Sequence, residues 1–405
     1  MAEERRVVVT GLGAVTSLGN TLAETWNGLV EGRCGIRRIT LFDPTPYRTQ
    51  LAAEVPILPD GFAPAYRRRL SRSDVIGLTA AAEALADSGL ELASEDPMRI
   101  GVVLGGGVSG LLDSENYFHE KLGKGTGTRR PRPTRVLNHP PDQTTDRIAQ
   151  RWGFLGPRGT VTTACSSSGT SLGYAADLIR HGLADIVVTG GADSFARLTH
   201  GGFNVLRAVD PEPCRPFDRR RKGLTIGEGA GILIFEEEGR ARRRGARIHA
   251  RFLGYGVTSD AHHMTQPEPS GEAGARTIAA CLESARVDAS RVDYVNAHGT
   301  ATPQNDSAET AAIRRALGSR ADEIPVSSIK SMIGHCLCSA GAVEAVATVM
   351  TITTGVVPPT IHYAEPDPEC DLDVVPNVAR EVRVRVAISN SFAFGGNSTV
   401  VAFGE

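Results

Sequence analysis

The sequence predicts an α/β layered fold. Short Val- and Ile-rich runs of strand length recur along the chain, and amphipathic segments of helical period lie between them. The bulk composition agrees: 405 residues, 41% hydrophobic and 22% charged, are enough for a sizeable core and unlike a disordered chain.

Taken in order, the buried-strand runs fall at 6–10, 99–104, 159–164, 185–189, 231–235, 293–297, 385–389 and 399–403, several of them bounded by Gly. Helical patterns fall at 21–30, 73–87, 142–152, 167–181, 274–285, 307–317 and 342–353. Residues 248–257 weakly echo 7–15, so the chain reads as a duplicated α/β unit with halves 1–246 and 247–405. Segment 123–141 holds three Gly, four Pro and four Arg and reads as a long loop, of the kind used for function or at an interface.

The net charge of −2 gives no overall basic bias toward nucleic acid, so recognition of a charged partner has to come from local patches. The start runs straight into Val7-Val8-Val9, too short for a secretory apolar core, and no run of about 18 apolar residues offers a membrane span. Seven scattered cysteines suit a reducing compartment. A cytoplasmic protein with no membrane or nucleic-acid partner is the expectation.

The strongest local signal is Thr163-Ala164-Cys165-Ser166-Ser167, where a β-branched strand gives way to a helix. A cysteine on that turn aims its sulfur at a helix N-terminus, which favours an anion, so its thiol is expected below the free value of about 8.5. Its backbone N–H is also placed to face a thioester oxygen. A buried, inert thiol is the alternative at this point; the other six cysteines read as structural. His335-Cys336-Leu337-Cys338 has no second cluster to complete a four-ligand set, which argues against a metal site.

Three further strands end in polar clusters: Ala297-His298-Gly299-Thr300-Ala301-Thr302, Lys330-Ser331-Met332-Ile333-Gly334-His335 and Asn390-Ser391-Phe392-Ala393-Phe394-Gly395-Gly396. In open α/β sheets, ligands sit beyond the C-terminal ends of strands. With Cys165, four such ends point to one site.

In this order and spacing the four clusters resemble the elongating β-ketoacyl-ACP synthases of type II fatty-acid and polyketide systems, in the thiolase superfamily, over essentially the whole chain. The resemblance implies a thiolase-like five-layered α-β-α-β-α duplicated fold, usually dimeric. It implies a decarboxylative Claisen condensation of a Cys-bound acyl chain with malonyl-ACP, from acyl-ACP as donor. Cys165 accepts the acyl chain; His298 and His335 bind the malonyl thioester; Lys330 pairs with a carboxylate, here Glu309; Phe394 is the gatekeeping aromatic. The N–H groups of Cys165 and Phe394 form the oxyanion hole. Thr300 and Thr302 hold the pantetheine arm, and Val108, Thr199 and Phe203 line the acyl pocket. No cofactor is bound by the chain itself; phosphopantetheine arrives on the acyl carrier protein (ACP).

Three departures stand out. Asn397-Ser398 follows the glycine turn where the family commonly has Thr-Asn, and Thr199 is bulkier than the glycine often found there. Arg135-Val136 stands where family members often offer an apolar pair across the dimer, which favours a specialised polyketide or polyene chain. ACP is acidic, so its docking face should be basic: Arg67, Arg68, Arg69 and Arg72, Arg129 and Arg130, and Arg207 resemble such places. A degradative thiolase would carry a second catalytic cysteine near the C-terminus, whereas the last one in this chain is Cys370. A silent chain-length partner would lack the nucleophile. The chain as the active half of a heterodimer with a chain-length-factor-like subunit, rather than a homodimer, stays open.

Overall fold

The computed structural model describes residues 5–58, 60–123 and 132–405; Arg129 and Arg130 lie outside them. The strands of the main sheet are β1 (Val7–Val15), β2 (Ile100–Gly105), β3 (Arg158–Val161), β4 (Ile186–Asp193), β5 (Gly229–Glu237), β6 (Ala250–Ser259), β7 (Tyr294–Asn296), β8 (Val326–Ser327), β9 (Val386–Phe392) and β10 (Asn397–Gly404). The helices around the core and the site are α1 (Leu22–Val30), α2 (Arg72–Asp87), α3 (Leu111–Lys121), α4 (Gln143–Trp152), α5 (Ser167–Arg180), α6 (Arg197–Val205), α7 (Glu272–Ala285), α8 (Pro303–Leu317) and α9 (Ala340–Thr354).

The strand order is β8-β7-β9-β10-β6-β1-β5-β4-β2-β3. It divides at the middle into two runs of the same topology, β1-β5-β4-β2-β3 and β6-β10-β9-β7-β8. Counted in chain order within each run, the second strand is parallel to the third and fourth, the fourth is antiparallel to the fifth, and the fifth is antiparallel to the first. β1 and β6 join the runs through three antiparallel pairs, from Val7↔Phe252 to Val9↔Ala250.

Five layers result. α2 and α4 cover the outer face of the first run, α7 and α8 that of the second, and α5 and α9 lie between them. The central core joins Leu172 and Ile179 of α5 and Val346 and Val349 of α9 to Val7, Leu233, Tyr294 and Phe403. A helix sandwiched on both faces needs apolar residues all round, which is why Leu337–Thr354 reaches the length and hydropathy of a membrane span while being 83% buried inside the fold. Close approach is built in: a Cβ on Gly231 of β5 would sit 2.5 Å from the backbone of Ala342 on α9.

Local chemistry accounts for the boundaries. Ser71 and Asp74 form a reciprocal capping box at α2. Thr302 caps α8 with Pro303 in the first turn. The sequence places a strand at 159–164, but β3 stops at Val161, because Ala164 turns to φ +51 ahead of Cys165. β6, α3 and α6 were not foreseen as elements. In β6 buried and half-buried positions alternate only as far as Gly256, which leaves a weak signal. Part of the long loop, Pro133–Asn138, is a 3-10 helix.

Candidate active site

Four strand ends converge on one cavity of about 320 Å³, lined among others by Cys165, Phe203, His298, Thr300, His335 and Phe394. Cys165 follows β3 on a tight turn. Ser167 Oγ, from the first turn of α5, accepts the Thr163 N–H at 2.9 Å and donates to the Ala164 carbonyl at 2.6 Å. The backbone N–H groups of Cys165 and Phe394 both bond toward the Cys165 sulfur.

The expectation of a lowered thiol is corrected. Burial pushes Cys165 up to about 11, and the charge of Lys330 and the two N–H groups only partly oppose it. Burial of the sulfur withdraws solvation from a thiolate, and the local donors do not replace all of it.

The histidines are neutral for the same reason. Burial holds both imidazoles well below 6.5, and the Lys330 charge lowers them further. Their tautomers follow from the backbone and Lys330. His335 Nδ1 accepts the Leu337 N–H at 3.1 Å, and its Nε2 is buried without a partner. His298 Nδ1 lies 3.4 Å from Lys330 Nζ, which can only donate. Each ring therefore carries its proton on Nε2. The rings stand nearly perpendicular, with centroids 5.3 Å apart.

Lys330 does not pair with Glu309. Its ammonium is ion-paired to Glu344 of α9, one helical turn into the central layer, and both side chains are buried. Glu309 instead accepts the His298 N–H at 2.7 Å, the Gly299 N–H at 2.7 Å and the Asn390 amide at 3.0 Å. It positions the His298 loop through the backbone. Burial pushes the Glu344 carboxyl up to about 7, against the pull of Lys330. Glu344 was missed by sequence reasoning, although it is the one charged residue in the apolar run 340–354.

The remaining expected residues distribute as follows. Thr300 and Thr302 line the cavity with their hydroxyls 2.9 Å apart. The Phe203 and Phe394 rings are 5.8 Å apart, and the turn after Phe394 uses Gly395 at φ +80, whose N–H reaches the Met264 carbonyl. Val108 and Thr199 are not among the residues lining this cavity; Val108 packs at the edge of the apolar cluster around Phe195 and Leu112. Arg67, Arg68 and Arg69 line a separate groove of about 800 Å³ together with Arg132, Arg135 and Arg147. Arg207 is exposed at the mouth of the Cys165 cavity. Arg72 is corrected: it is ion-paired to the fully buried Glu228 and donates to the Val55 carbonyl, so it belongs to the interior rather than to a docking face. Such a pair needs both members in place once water is excluded.

The chain is matched along its length by known proteins. Residues 4–241 match the model of the beta-ketoacyl synthase N-terminal domain, and 249–364 that of the beta-ketoacyl synthase C-terminal domain. It is 40% identical over 413 residues to 3-oxoacyl-[acyl-carrier-protein] synthase 2 of Staphylococcus aureus, covering 100% of this chain and 99% of that protein. It is 42% identical over 410 residues to the putative polyketide beta-ketoacyl synthase 1 of Streptomyces halstedii, covering 98% and 97%. The solved ishigamide ketosynthase/chain length factor superposes with a TM-score of 0.92 at 37% identity, covering 99% of each chain.

Proposed function

We infer the residue roles from one premise: the chain belongs to the β-ketoacyl synthase family. Its reaction is the decarboxylative condensation of an enzyme-bound acyl group with malonyl-ACP to a β-ketoacyl-ACP, in type II fatty-acid or polyketide assembly. Its partners are ACP and a second chain of ketosynthase fold, either a copy of itself or a chain-length-factor-like subunit. The phosphopantetheine arm belongs to ACP.

Cys165 takes the acyl group from acyl-ACP, and its proton leaves with the pantetheine thiol. Malonyl-ACP then enters, and the C–C bond to its carboxylate breaks. The electron pair flows into the thioester, whose oxygen becomes an enolate. Two neutral N–H donors aimed at one oxygen stabilise that charge without transferring a proton. The carbanion attacks the acyl-Cys165 carbonyl, the N–H groups of Cys165 and Phe394 hold the tetrahedral oxyanion, and collapse releases the thiolate beside Lys330. The observation that carries this reading is the pair of occupied Nδ1 atoms, which leaves Nε2–H of both His298 and His335 for the substrate.

Thr300 and Thr302 would hydrogen-bond the pantetheine arm, and Phe203 would meet the acyl chain. Arg67, Arg68, Arg69 and Arg207 would dock the acidic carrier. The two halves would divide between residues 246 and 247, and the cytoplasm is the compartment we assign.

Intact-mass spectrometry tests the assignment. Mixed with acyl-ACP and then malonyl-ACP, the chain should gain an acyl mass at Cys165 and release a product two carbons longer. Acylation without condensation would mark it as the active half of a heterodimer; no acylation with any chain length would overturn the role of Cys165 and the steps that depend on it.

A further inference from the structure

The basic run Arg219-Arg220-Arg221-Lys222 turns one member inward. The Arg221 side chain is 4% exposed, while Arg219, Arg220 and Lys222 face solvent. Its guanidinium meets acceptors from three segments. It is ion-paired to Asp367, donates through Nη1 to the Asp218 carbonyl at 3.1 Å, and donates through Nη2 to the Pro303 carbonyl at 3.1 Å. Asp306, fully buried on α8, lies 3.8 Å from Nε. A planar fork of five donors can hold such a set, which the point charge of a lysine cannot.

The hold reaches the cavity wall through Asp306. Its carboxylate accepts the Ala301 N–H at 3.1 Å and the Phe217 N–H at 2.7 Å. Ala301 sits at φ +68 and Phe217 at φ +63, conformations uncommon for residues with a side chain. Such a backbone persists only where its surroundings fix it. Ala301 lies between Thr300 and Thr302, whose hydroxyls are 2.9 Å apart, and Pro303 follows directly. The turn 300–303 is thus gripped at two points, the Ala301 N–H by Asp306 and the Pro303 carbonyl by Arg221. Asn305 Nδ2 ties this grip to the one on His298, donating to Asp306 at 3.2 Å and to Glu309 at 3.3 Å.

We propose that Arg221 is a positioning residue for the pantetheine arm: through Pro303 and Asp306 it fixes the turn that presents Thr300 and Thr302 to the carrier-borne substrate. The proposal rests on the reading of those two threonines as ligands of the arm. Arg221 acts from behind. Thr300, Thr302 and Pro303 are among the residues lining the Cys165 cavity, and Arg221 and Asp306 are not.

The charge balance at Asp306 supports the assignment. Burial pushes its carboxyl up to about 6, and the Arg221 charge is the largest influence that opposes this. Arg221 thereby favours the ionised form, which accepts both N–H groups.

Steady-state kinetics with two acyl donors tests the proposal. Acyl-pantetheine carries the amides of the arm, and the S-ethyl thioester of the same acid lacks them. Arg221→Lys keeps the charge and loses the fork. It should raise the KM for acyl-pantetheine about tenfold, the worth of one hydrogen bond, with kcat held within about twofold. Acylation of Cys165 by the S-ethyl thioester should be unchanged. Asp367→Asn, at the outer end of the network, should give the same split at about two- to threefold, and it carries the test if Arg221→Lys does not fold. The double variant Thr300→Val, Thr302→Val separates the two readings. If it leaves the KM for acyl-pantetheine unchanged, the threonine reading fails and the proposal with it. If it raises that KM while folded Arg221→Lys and Asp367→Asn do not, the role of Arg221 alone is overturned. Equal losses with both donors would make Arg221 merely structural and would also overturn it.

Discussion

The two halves of the chain lay equivalent strands in the same order, yet place different chemistry at equivalent ends. After β3 comes Cys165; after the equivalent β8 come Lys330 and His335. After β2 come Val108 and Ser109; after the equivalent β7 come His298 and Gly299. In both halves a buried carboxylate grips the two successive N–H groups of that second turn: Asp193 on Val108 and Ser109 at 3.0 and 2.8 Å, and Glu309 on His298 and Gly299. The grip differs in origin. Asp193 ends β4 itself, in Asp193-Ser194-Phe195-Ala196. The matching end of β9 reads Asn390-Ser391-Phe392-Ala393, and its amide instead supports a carboxylate sent from α8. The shared device holds a loop that displays His298 in the second half and only Val108 and Ser109 in the first, where Cys165 comes from the neighbouring turn after β3.

The largest expected effect separates the halves outright. Cys165→Ala should abolish acylation and condensation, whereas His298→Ala and His335→Ala should still acylate and lose condensation by about 10²–10³-fold, the usual cost of one donor to a developing oxyanion. Single-turnover assays of the two half-reactions check this, and normal condensation by Cys165→Ala would end the division of labour.

Next come the two carboxylate grips. Asp193→Ala and Glu309→Ala each leave at least two buried N–H groups unpaired, a loss of about 2–5 kcal/mol by thermal or urea denaturation. Glu309→Ala should also depress malonyl-ACP decarboxylation, and Asp193→Ala should act on acylation. Equal damage to both half-reactions in both variants would break the comparison.

The pH dependence is a smaller test. A histidine with a depressed value stays neutral as pH falls until that lowered value is reached, so decarboxylation should stay flat from pH 8 down through 6.5. Lys330→Met removes the charge that helps depress both rings, and its acid limb should move to higher pH. A wild-type acid limb centred at 6.5 would show that the imidazoles are solvated. The smallest effect is at the rim: Arg207→Glu should raise the KM for ACP substrates a few-fold, less so at high salt, and leave acylation by a small thioester unchanged.

Much of this was legible along the chain. The buried runs around 99–104, 185–189 and 231–235 are strands within a few residues of their expected ends, because a short continuous apolar, β-branched run is a local signal. The four polar strand ends were readable for the same reason, since each is a run of neighbours in sequence. Ala297 to Thr302 and Asn390 to Gly396 carry their turn chemistry with them. Less legible were the partners. The distance from Lys330 to residue 344 or 309 is not a local property, and only the packing of α9 against the second run brings Glu344 rather than Glu309 to the ammonium.

The sequence by itself therefore determined the layers, the order of the strand ends and which polar side chains those ends carry, because each is set by residues adjacent in the chain. The tertiary structure alone decided the charge states. Cys165 is a protonated thiol and the histidines are neutral because solvation is removed by every layer that closes over the cavity, and that sum exceeds what the helix end and neighbouring donors contribute.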